Sequence, residues 1–279
     1  MIRRHELTDQ EWELLAPLIP RAVTGRPRVS DRQVVNGMVY KIRTGISRRD
    51  LPERYGPWKT VCTRFRRYAL NGVFTRALQQ VQARADAAGD IDWLVQIDST
   101  IVRAHQHAAA TGRKGGLTGD EPDDHALGRS RGGLTTKIHL SCDGRGRPLA
   151  ILLTPGRRND GICARPLLER IRVPRTGLGR PRRRPDQVVA DKAYSSRGFR
   201  AHLRRRGIAN TILEKRDQQR HRHNRGRRGG RPPVFDRQIY RRRNIVERCF
   251  NQFKSFRGIA TRYDKTATSY EAAVRLASF

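Results

Sequence analysis

The sequence is short of lysine, of paired cysteines and of long apolar runs. Only 8 of its 59 basic residues are lysine, so the remaining 51 are arginine. The four cysteines form no CxxC pair, which argues against a zinc site or a disulfide frame and predicts reduced thiols in a cytosolic protein. No apolar run approaches the roughly 20 residues that span a bilayer, and the start MIRRHELTDQ has no signal-peptide pattern. A soluble, intracellular protein with no membrane role is expected.

Positive charge is what the sequence has in abundance. The 279 residues carry 59 Lys plus Arg against 26 Asp plus Glu, a formal net charge of +33. Such a field attracts polyanions and would repel itself without a partner. Arginine adds a planar fork that suits phosphate, although GC-rich codons also favour arginine. The composition points to nucleic acid, and the length to one large domain or two smaller ones.

The first third of the chain has the pattern of short helices. Thr8 and Glu11 form a capping box that predicts the start of one helix. Ser30 and Gln33 form a second, followed by apolar residues at helical spacing, and Gly45 is placed to end that helix. An all-helical N-terminal region is therefore predicted.

A basic helix follows in the segment KTVCTRFRRYAL, with Arg66 and Arg67 on its outward side. Short helices with a basic one after a tight turn are compatible with a helix-turn-helix DNA reader. A small bundle with a solvated basic face explains the same pattern, and both interpretations stay open here. Residues 1–88 are predicted to be a helical, helix-turn-helix-like DNA-binding domain in which Arg66 and Arg67 contact DNA.

The pattern changes to strands after Gly89. DWLVQIDSTIV, LTTKIHLSCD and PLAILLTPG are β-rich, and DGRGR joins the last two as a hairpin. ICARPLLERI and RGFRAHLRRR then have helical character, the second capped by Ser195 or Ser196, and DQVVAD and IANTILEK resemble strands. Hairpin strands followed by alternating helix and strand predict one mixed α/β sheet with flanking helices. Residues 89–279 are expected to form this second domain.

Three segments are predicted to be loops. Residues 106–131 are rich in Gly, His and Asp, whereas residues 170–184 and 216–231 each carry seven arginines. Runs of like charge are usually solvated, but they order against phosphates, and such binding weakens steeply in salt. The motif GRSRGG either cradles phosphate through backbone amides or forms a flexible turn.

The segment YRRRNIVERCFNQFKSFRG holds a single acid among basic residues. On a helical wheel at about 100° per residue, four side chains share one narrow stripe opposite the apolar residues. They are Tyr240, Arg243, Glu247 and Lys254. A solvated Arg243–Glu247 pair at (i, i+4) explains two of them, but it gives no reason for a tyrosine and a lysine on the same line. The pattern favours a functional stripe on an amphipathic helix.

Two aspartates stand at the ends of apolar runs. In WLVQIDST, strand alternation leaves Asp98 on the face opposite the apolar residues, with Gln96 and Thr100. In QVVADKAYSS, Asp191 ends an apolar run just before a helix start. Acids at strand ends lie where ligand clefts form, and carboxylate oxygens suit magnesium or manganese. Two aspartates and a glutamate around two divalent ions about 4 Å apart would activate water or a 3′-hydroxyl for attack on a phosphodiester.

Three histidines are the remaining metal candidates. His105, His107 and His125 lie in a region that also contains acids. Their spacing matches no zinc pattern, so a metal role for them is a minor expectation.

These motifs together resemble a known family. YRRRNIVERCFNQFK matches Y-x2-R-x3-E-x6-K in full, the signature of DDE transposases of bacterial insertion sequences, in the insertion-sequence four and five superfamily. Other segments are similar to the five-type members, in the family order: LTDQEWELLAPLIP, GRPRVSDRQVVNGMVYKIRTGISRRDLPERYGPW, QIDSTIVRAH, GRSRGGLTTKIHLSCDGRGRPL, LTPGRRND and VADKAYSS. The resemblance covers nearly the whole chain.

The resemblance implies a ribonuclease-H-like catalytic core. In it, Asp98, Asp191 and Glu247 match the triad that binds two magnesium ions, for which manganese can substitute. The implied enzyme is a DNA transposase that cuts at transposon ends and transfers the freed 3′-hydroxyl ends into target DNA.

The resemblance also implies partners. Tyr240, Arg243 and Lys254 are expected to contact transposon-end DNA near the cut, and the N-terminal helices to recognise the terminal inverted repeats of double-stranded DNA. The active form is expected to be a homodimer or higher oligomer that pairs two ends, associated with the nucleoid in a bacterial cytoplasm.

One departure from the family concerns the end of the chain. It stops at YEAAVRLASF, where family members usually run on with an apolar helical segment, so a truncated or decayed copy is one expectation. Two rival functions also stay open on the sequence: a non-catalytic DNA-binding regulator, and a ribonuclease-H-like nuclease without strand transfer.

Overall fold

The structure, a computed structural model, describes residues 5–20, 28–109 and 121–279. Its helices are α1 (Asp9–Leu15), α2 (Asp31–Thr44), α3 (Trp58–Leu70), α4 (Val73–Ala87), α5 (Asp160–Glu169), α6 (Arg197–Arg205), α7 (Arg216–Asn224), α8 (Arg237–Arg241), α9 (Asn244–Ser255), α10 (Arg257–Ala260) and α11 (Ala267–Leu276). Its strands are β1 (Leu94–Ala104), β2 (Gly128–Ser130), β3 (Gly133–Cys142), β4 (Pro148–Pro155), β5 (Gln187–Ala190), β6 (Ala209–Ile212) and β7 (Thr261–Arg262). Within the described ranges, every helix is too short or too polar to span a bilayer.

A mixed sheet forms around β1. β3 pairs antiparallel with β1, and β4 pairs antiparallel with β3. On the other side of β1, β5 and then β6 follow in parallel. The short β2 pairs with one end of β3, and the short β7 pairs with one end of β1. Three antiparallel strands followed by two parallel ones, flanked by helices, is the ribonuclease-H-like order, so the predicted fold class is confirmed.

Two buried apolar clusters cover the faces of the sheet. One contains Val95 and Ile97 of β1 together with residues of α5 and α6. The other contains Val102 of β1 with residues of α9 and α11, and it also includes residues of α1, α2, α3 and α4. Alternation along β1 explains the division, because successive side chains point to opposite faces. The N-terminal helices and the C-terminal helices therefore share one hydrophobic core.

The two predicted capping boxes differ in outcome. Glu11 N donates to Thr8 Oγ1 at 3.2 Å, and Thr8 N donates to Glu11 Oε2 at 2.7 Å, so the first box is confirmed. Ser30 does precede α2, but its side chain makes no cap hydrogen bond within the described residues. Gln33 Nε2 instead donates to Arg54 O at 2.6 Å, a contact to a distant turn that sequence spacing does not reveal.

The predicted loops are partly wrong. Residues 216–231 contain α7 and a 3-10 turn, Gly226–Gly229. Periodicity misses α7 because the helix has no apolar residue and no buried side chain. Residues 106–131 contain the unpredicted β2, and residues 110–120 of that segment lie outside the described ranges.

The helix predicted over YRRRNIVERCFNQFKSFRG is interrupted. α8 ends at Arg241 and α9 begins at Asn244, and hydrogen bonds of the tighter i to i+3 type join the residues between them. Val246 N also donates to Gln96 Oε1 on β1 at 3.1 Å, which ties the start of α9 to the sheet. The single wheel is therefore wrong for Tyr240, which lies on α8.

Candidate active site

Two neighbouring strands bring the two aspartates together. β1 and β5 run parallel, and their register pairs Ile97 with Ala190. Asp98 and Asp191 are the next residues along each strand, so they lie at the same level, where β5 ends. Asp191 then accepts a hydrogen bond from Ala193 N at 2.9 Å and starts the following turn. The sheet topology thus places the predicted aspartates side by side.

The start of α9 brings the glutamate to β1. Gln96 lies two residues before Asp98, on the same face of the strand, and is fully buried. Its Oε1 accepts from Val246 N, and Glu247 is the next residue of α9. Gln96 thus ties the start of α9 to β1. The sequence pattern places Gln96 on the same face as Asp98 but does not reveal this contact.

Arg243 links two of the three carboxylates. Its Nη1 donates to Asp98 Oδ2 at 2.8 Å, and its Nη2 donates to Glu247 Oε1 at 2.6 Å. The side chain of Arg243 is 21% exposed and that of Asp98 is 19% exposed, so their contact is partly withdrawn from water. The Arg243–Glu247 pair of the alternative, solvated-stripe interpretation is present, and Arg243 also contacts Asp98.

Burial and neighbouring charges set the protonation of Asp98. Its pKa is raised to about 6, chiefly by burial; the Ser99 amide and the Arg243 guanidinium lower the pKa, and the carboxylates of Asp191 and Glu247 raise it. Burial lowers the pKa of Arg243, but the same three carboxylates more than offset this, and the pKa is raised. The acids therefore repel one another around a single guanidinium.

A fourth carboxylate lies beside the site and is absent from the sequence-based prediction. Asp160 begins α5 and accepts from Ser99 Oγ at 2.8 Å and from Lys137 Nζ at 2.9 Å. Tyr194 is buried near the same acids; burial raises the pKa of its hydroxyl well above the usual value, and Asp98 and Asp160 add to this effect. Two sequence motifs could have pointed to these residues: LTPGRRND ends at Asp160, and VADKAYSS contains Tyr194.

His139 on β3 is expected to make the stability of the fold depend on pH. Its pKa is lowered to about 4 by burial, against an opposing effect of Asp160, and its Nε2 lies 2.9 Å from Thr154 Oγ1. Between about pH 6.5 and pH 5, the unfolded chain takes up a proton at this histidine that the folded protein does not, so this contribution to stability is lost as the pH falls. The expected loss is about 2 kcal/mol.

Urea unfolding of wild type and His139→Gln at both pH values measures this contribution. The variant has no imidazole to titrate, so its free energy of unfolding is expected to fall by about 2 kcal/mol less over that interval. Equal pH slopes for the two proteins would contradict the expectation, whatever the difference in their absolute stability.

The residues predicted to contact DNA are spread over three helices. Lys254 is exposed on α9. Tyr240 lies on α8, where its ring centroid is 5.1 Å from that of Phe235. Arg66 and Arg67 are exposed on α3. Asp98, Asp191 and Glu247 are called the acidic cluster below. Of the residues predicted to contact DNA, Arg243 is the one that forms ion pairs with this cluster among the described residues.

The three candidate histidines do not converge. His125 Nδ1 lies 2.6 Å from Glu121 Oε1 in the interior. His105 packs against His107 and Tyr263, with ring centroids 4.5 Å and 5.1 Å away. His125 thus lies against an acid, and His105 and His107 lie against each other.

The donor chemistry of the acidic cluster suits a hard divalent cation. Asp98, Asp191 and Glu247 offer carboxylate oxygens, and their repulsion is what a bound cation relieves. In the structure Arg243 supplies positive charge there, and across residues 5–20, 28–109 and 121–279 no three His, Cys, Asp or Glu side chains are close enough to share one ion. The residues fit such an ion in their chemistry, with Glu247 turned toward Arg243.

A ribonuclease-H-like sheet with one acid within β1, a second just after the adjacent β5, and a glutamate on the helix beside them, defines a protein of the DDE class. The chain belongs to the DDE transposase family, since the family model described as "Transposase DDE domain" matches residues 91–278. A second family model, described as "Putative transposase of IS4/5 family", matches residues 7–78. The resemblance found in the motifs is confirmed, and the function is that of a DNA transposase. Proteins of this family generally use divalent metal ions.

Several relatives show how far the likeness extends. Uncharacterized protein y4sN of Sinorhizobium fredii is 40% identical over 113 residues, covering 39% of this chain and 86% of that protein. A putative transposase for insertion sequence element IS402 of Burkholderia cepacia is 32% identical over 159 residues, covering 57% and 65%. A putative transposase for insertion sequence element IS6501 of Brucella ovis is 32% identical over 144 residues, covering 52% and 95%.

Among solved structures, the Mos1 strand transfer complex aligns with 92% of this chain and 78% of that chain. The sequence identity is 11% and the TM-score is 0.27. The strand order of the sheet defines the fold.

Proposed function

We propose that this chain cuts DNA at transposon ends and joins the freed 3′-hydroxyl ends to target DNA, in a metal-dependent reaction at the acidic cluster. The observation that carries the proposal is the register of β1 with β5, which sets Asp98 beside Asp191. Glu247 reaches the same cluster through its shared partner Arg243. Carboxylates from β1, from the end of β5 and from α9 thus interact electrostatically with one another and with Arg243, and a solvated surface stripe does not account for that.

In this proposal Asp98, Asp191 and Glu247 hold two Mg²⁺ ions, for which Mn²⁺ can substitute. When bound, the ions supply an activated water or 3′-hydroxyl and neutralise charge on the phosphodiester. The pKa of Asp98 is about 6, so its carboxylate is ionised and able to bind a cation above that pH. Gln96 holds α9 against β1 and so keeps Glu247 at the cluster.

Tyr240, Arg243 and Lys254 are the proposed contacts to transposon-end DNA. The guanidinium of Arg243 donates through both terminal nitrogens to carboxylates, and phosphate oxygens accept from the same fork. We infer that Arg243 exchanges a carboxylate for a phosphate when DNA docks. Lys254 is exposed on the helix that carries Glu247, which leaves its ammonium accessible to a neighbouring phosphate.

We assign DNA recognition to residues 1–88 and cutting to residues 89–279. The two family matches, at residues 7–78 and 91–278, support this division. Arg66 and Arg67, exposed on α3, are the proposed contacts to the inverted repeats of double-stranded DNA. Two ends must be processed together, so the proposed active form is a homodimer or higher oligomer acting on the nucleoid in the cytoplasm.

Labelled DNA that carries the inverted repeats flanking the gene tests this proposal. With Mg²⁺ the expected products are cut ends and a strand joined to target DNA, and chelation of the metal is expected to abolish both. Cut ends without a joined strand would identify a nuclease. A specific gel shift with no cutting in Mg²⁺ or Mn²⁺ would identify a DNA-binding regulator or a decayed copy.

A further inference from the structure

α7 is a helix without an apolar residue. Its sequence is RDQQRHRHN, and none of its side chains is buried. A helix that is polar all round gains no stability from a hydrophobic core. At 9 residues, α7 is also shorter than the roughly 12 residues at which an isolated helix becomes even marginally stable in water. Polar contacts or a ligand must therefore hold it.

One side of α7 is docked by hydrogen bonds. Gln218 Oε1 accepts from Ser195 Oγ at 2.7 Å, and Gln218 Nε2 donates to Ser195 O at 2.8 Å. Ser195 is only 2% exposed, so the amide of Gln218 is hydrogen-bonded to a buried residue. One turn later, Arg222 pairs with Glu214. Gln218 and Arg222 are four residues apart and define the side of α7 that faces the protein.

The docking point adjoins the active site. Asp191 caps the short turn Lys192–Tyr194, and Ser195 is the residue that ends this turn. Ser195 N donates to Lys192 O at 3.1 Å, so the turn and the serine move together. Gln218 therefore connects α7 to Asp191 through a single turn of chain.

The opposite side of α7 carries free positive charge. Arg216, Arg220 and His223 recur at i, i+4 and i+7 and are all exposed. The ion pair of this helix belongs to Arg222 on the docked side, and Arg216 and Arg220 have none within the described part of the chain. Asp217 is the one acid in residues 216–231 and neutralises neither of them. The exposed side therefore carries two guanidinium groups without ion-pair partners in the described residues, next to the His223 imidazole.

The turn after α7 is packed onto the helix. A Cβ atom at Gly229 would lie 2.1 Å from Arg222 O, so this close approach requires glycine. The turn Gly226–Gly229 adds exposed Arg227 and Arg228 to the end of the helix. α7 and the turn thus form one compact basic unit.

We propose that α7 is a binding site for the phosphate backbone of the DNA strand that enters the active site, and that Gln218 transmits this docking to Asp191. This rests on the proposed function, because the cluster beside α7 is taken to act on a phosphodiester. Phosphate contacts supply the stabilisation that α7 lacks from packing, and they use the charges that the fold leaves unpaired. The arginines bind, and Gln218 is a positioning residue.

The salt dependence of binding to a random-sequence DNA duplex tests the phosphate site. The double variant Arg216→Ala/Arg220→Ala is expected to reduce the slope of log K against log salt by about 1.8, since each phosphate contact contributes about 0.9. The matched control is Arg145→Ala/Arg165→Ala, which removes the same charge from arginines already paired with Asp90 and Glu169. An equal change in both double variants would overturn the site, because it would reflect net charge alone.

The cutting rate tests the link to Asp191. Gln218→Ala is expected to cut about ten- to a hundred-fold more slowly, while its binding slope stays that of wild type, which also shows that it is folded. Gln218→Glu keeps the oxygen that accepts from Ser195 Oγ and is expected to recover part of the rate. Gln80→Ala, at an exposed glutamine of α4, is the control and is expected to cut like wild type.

Wild-type cutting by Gln218→Ala would overturn the transmission step and leave the proposed function intact. Absence of cutting by the wild type itself would instead overturn the proposed function. The salt slopes would still decide in that case whether α7 binds phosphate.

Discussion

Replacing Asp98 with asparagine is expected to slow DNA cutting by about a thousand-fold or more, which corresponds to about 4 kcal/mol of lost transition-state stabilisation. The substitution keeps the size of the side chain and removes the negative charge that binds the cation. Asp98 also lies where burial has already raised its pKa to about 6, so little water is present to replace its oxygens. The rate of strand cutting in Mg²⁺, measured with saturating DNA, gives the effect.

The matched control for this change is Asp186→Asn. Asp186 lies just before β5, at the opposite end from Asp191, and its Oδ1 is 2.8 Å from Arg182 Nη2. Its side chain is 67% exposed, so the variant is expected to cut at the wild-type rate. Full cutting by Asp98→Asn, or by the equivalent change at Asp191, would remove that residue from the catalytic set.

Replacing Arg262 with methionine is expected to cost about 3 to 5 kcal/mol of folding free energy. Arg262 is fully buried on β7. Its guanidinium donates to five acceptors: Asp264 O, Ala126 O, Thr136 Oγ1, His125 O and Lys265 O. Methionine fills much of the space but donates to none of them, and a buried acceptor without a donor costs its full desolvation.

Urea unfolding with Arg103→Ala as the control measures this cost. Arg103 lies on β1 and is paired in register with Thr261, beside Arg262, but its side chain is exposed. Its loss is expected to change stability by no more than about 0.5 kcal/mol. A similar small effect at Arg262 would show that water replaces the arginine and that the interior at β7 is open to solvent.

Local sequence patterns predicted the two faces of β1 and the polar face of α9 that carries Glu247. Strand alternation in WLVQIDST put Asp98 opposite the apolar residues, and the two buried clusters of the structure follow that division. The motif around Glu247 marked an acid that the structure joins to Asp98 through Arg243. These predictions depend on residues close in the chain, for which periodicity is informative.

Contacts between distant segments were not predictable in the same way. Asp98 meets Asp191 because of the β1–β5 register, and a register between strands far apart in sequence leaves no local pattern. The amide of Gln96 sets the start of α9, and one hydrogen bond of this kind has no periodicity. The helix α7 was not predicted for a related reason, since a helix with no apolar residue has no hydrophobic periodicity.

The hydrophobic core shared by the N-terminal helices and α9 and α11 has a consequence for where DNA is cut. If residues 1–88 grip the inverted repeat as proposed, their separation from Asp98 is set by close-packed side chains and not by a flexible tether. The distance between the bound repeat and the acidic cluster is then fixed. The cut is then expected at a constant number of base pairs from the bound repeat, and the thickness of that core sets this number.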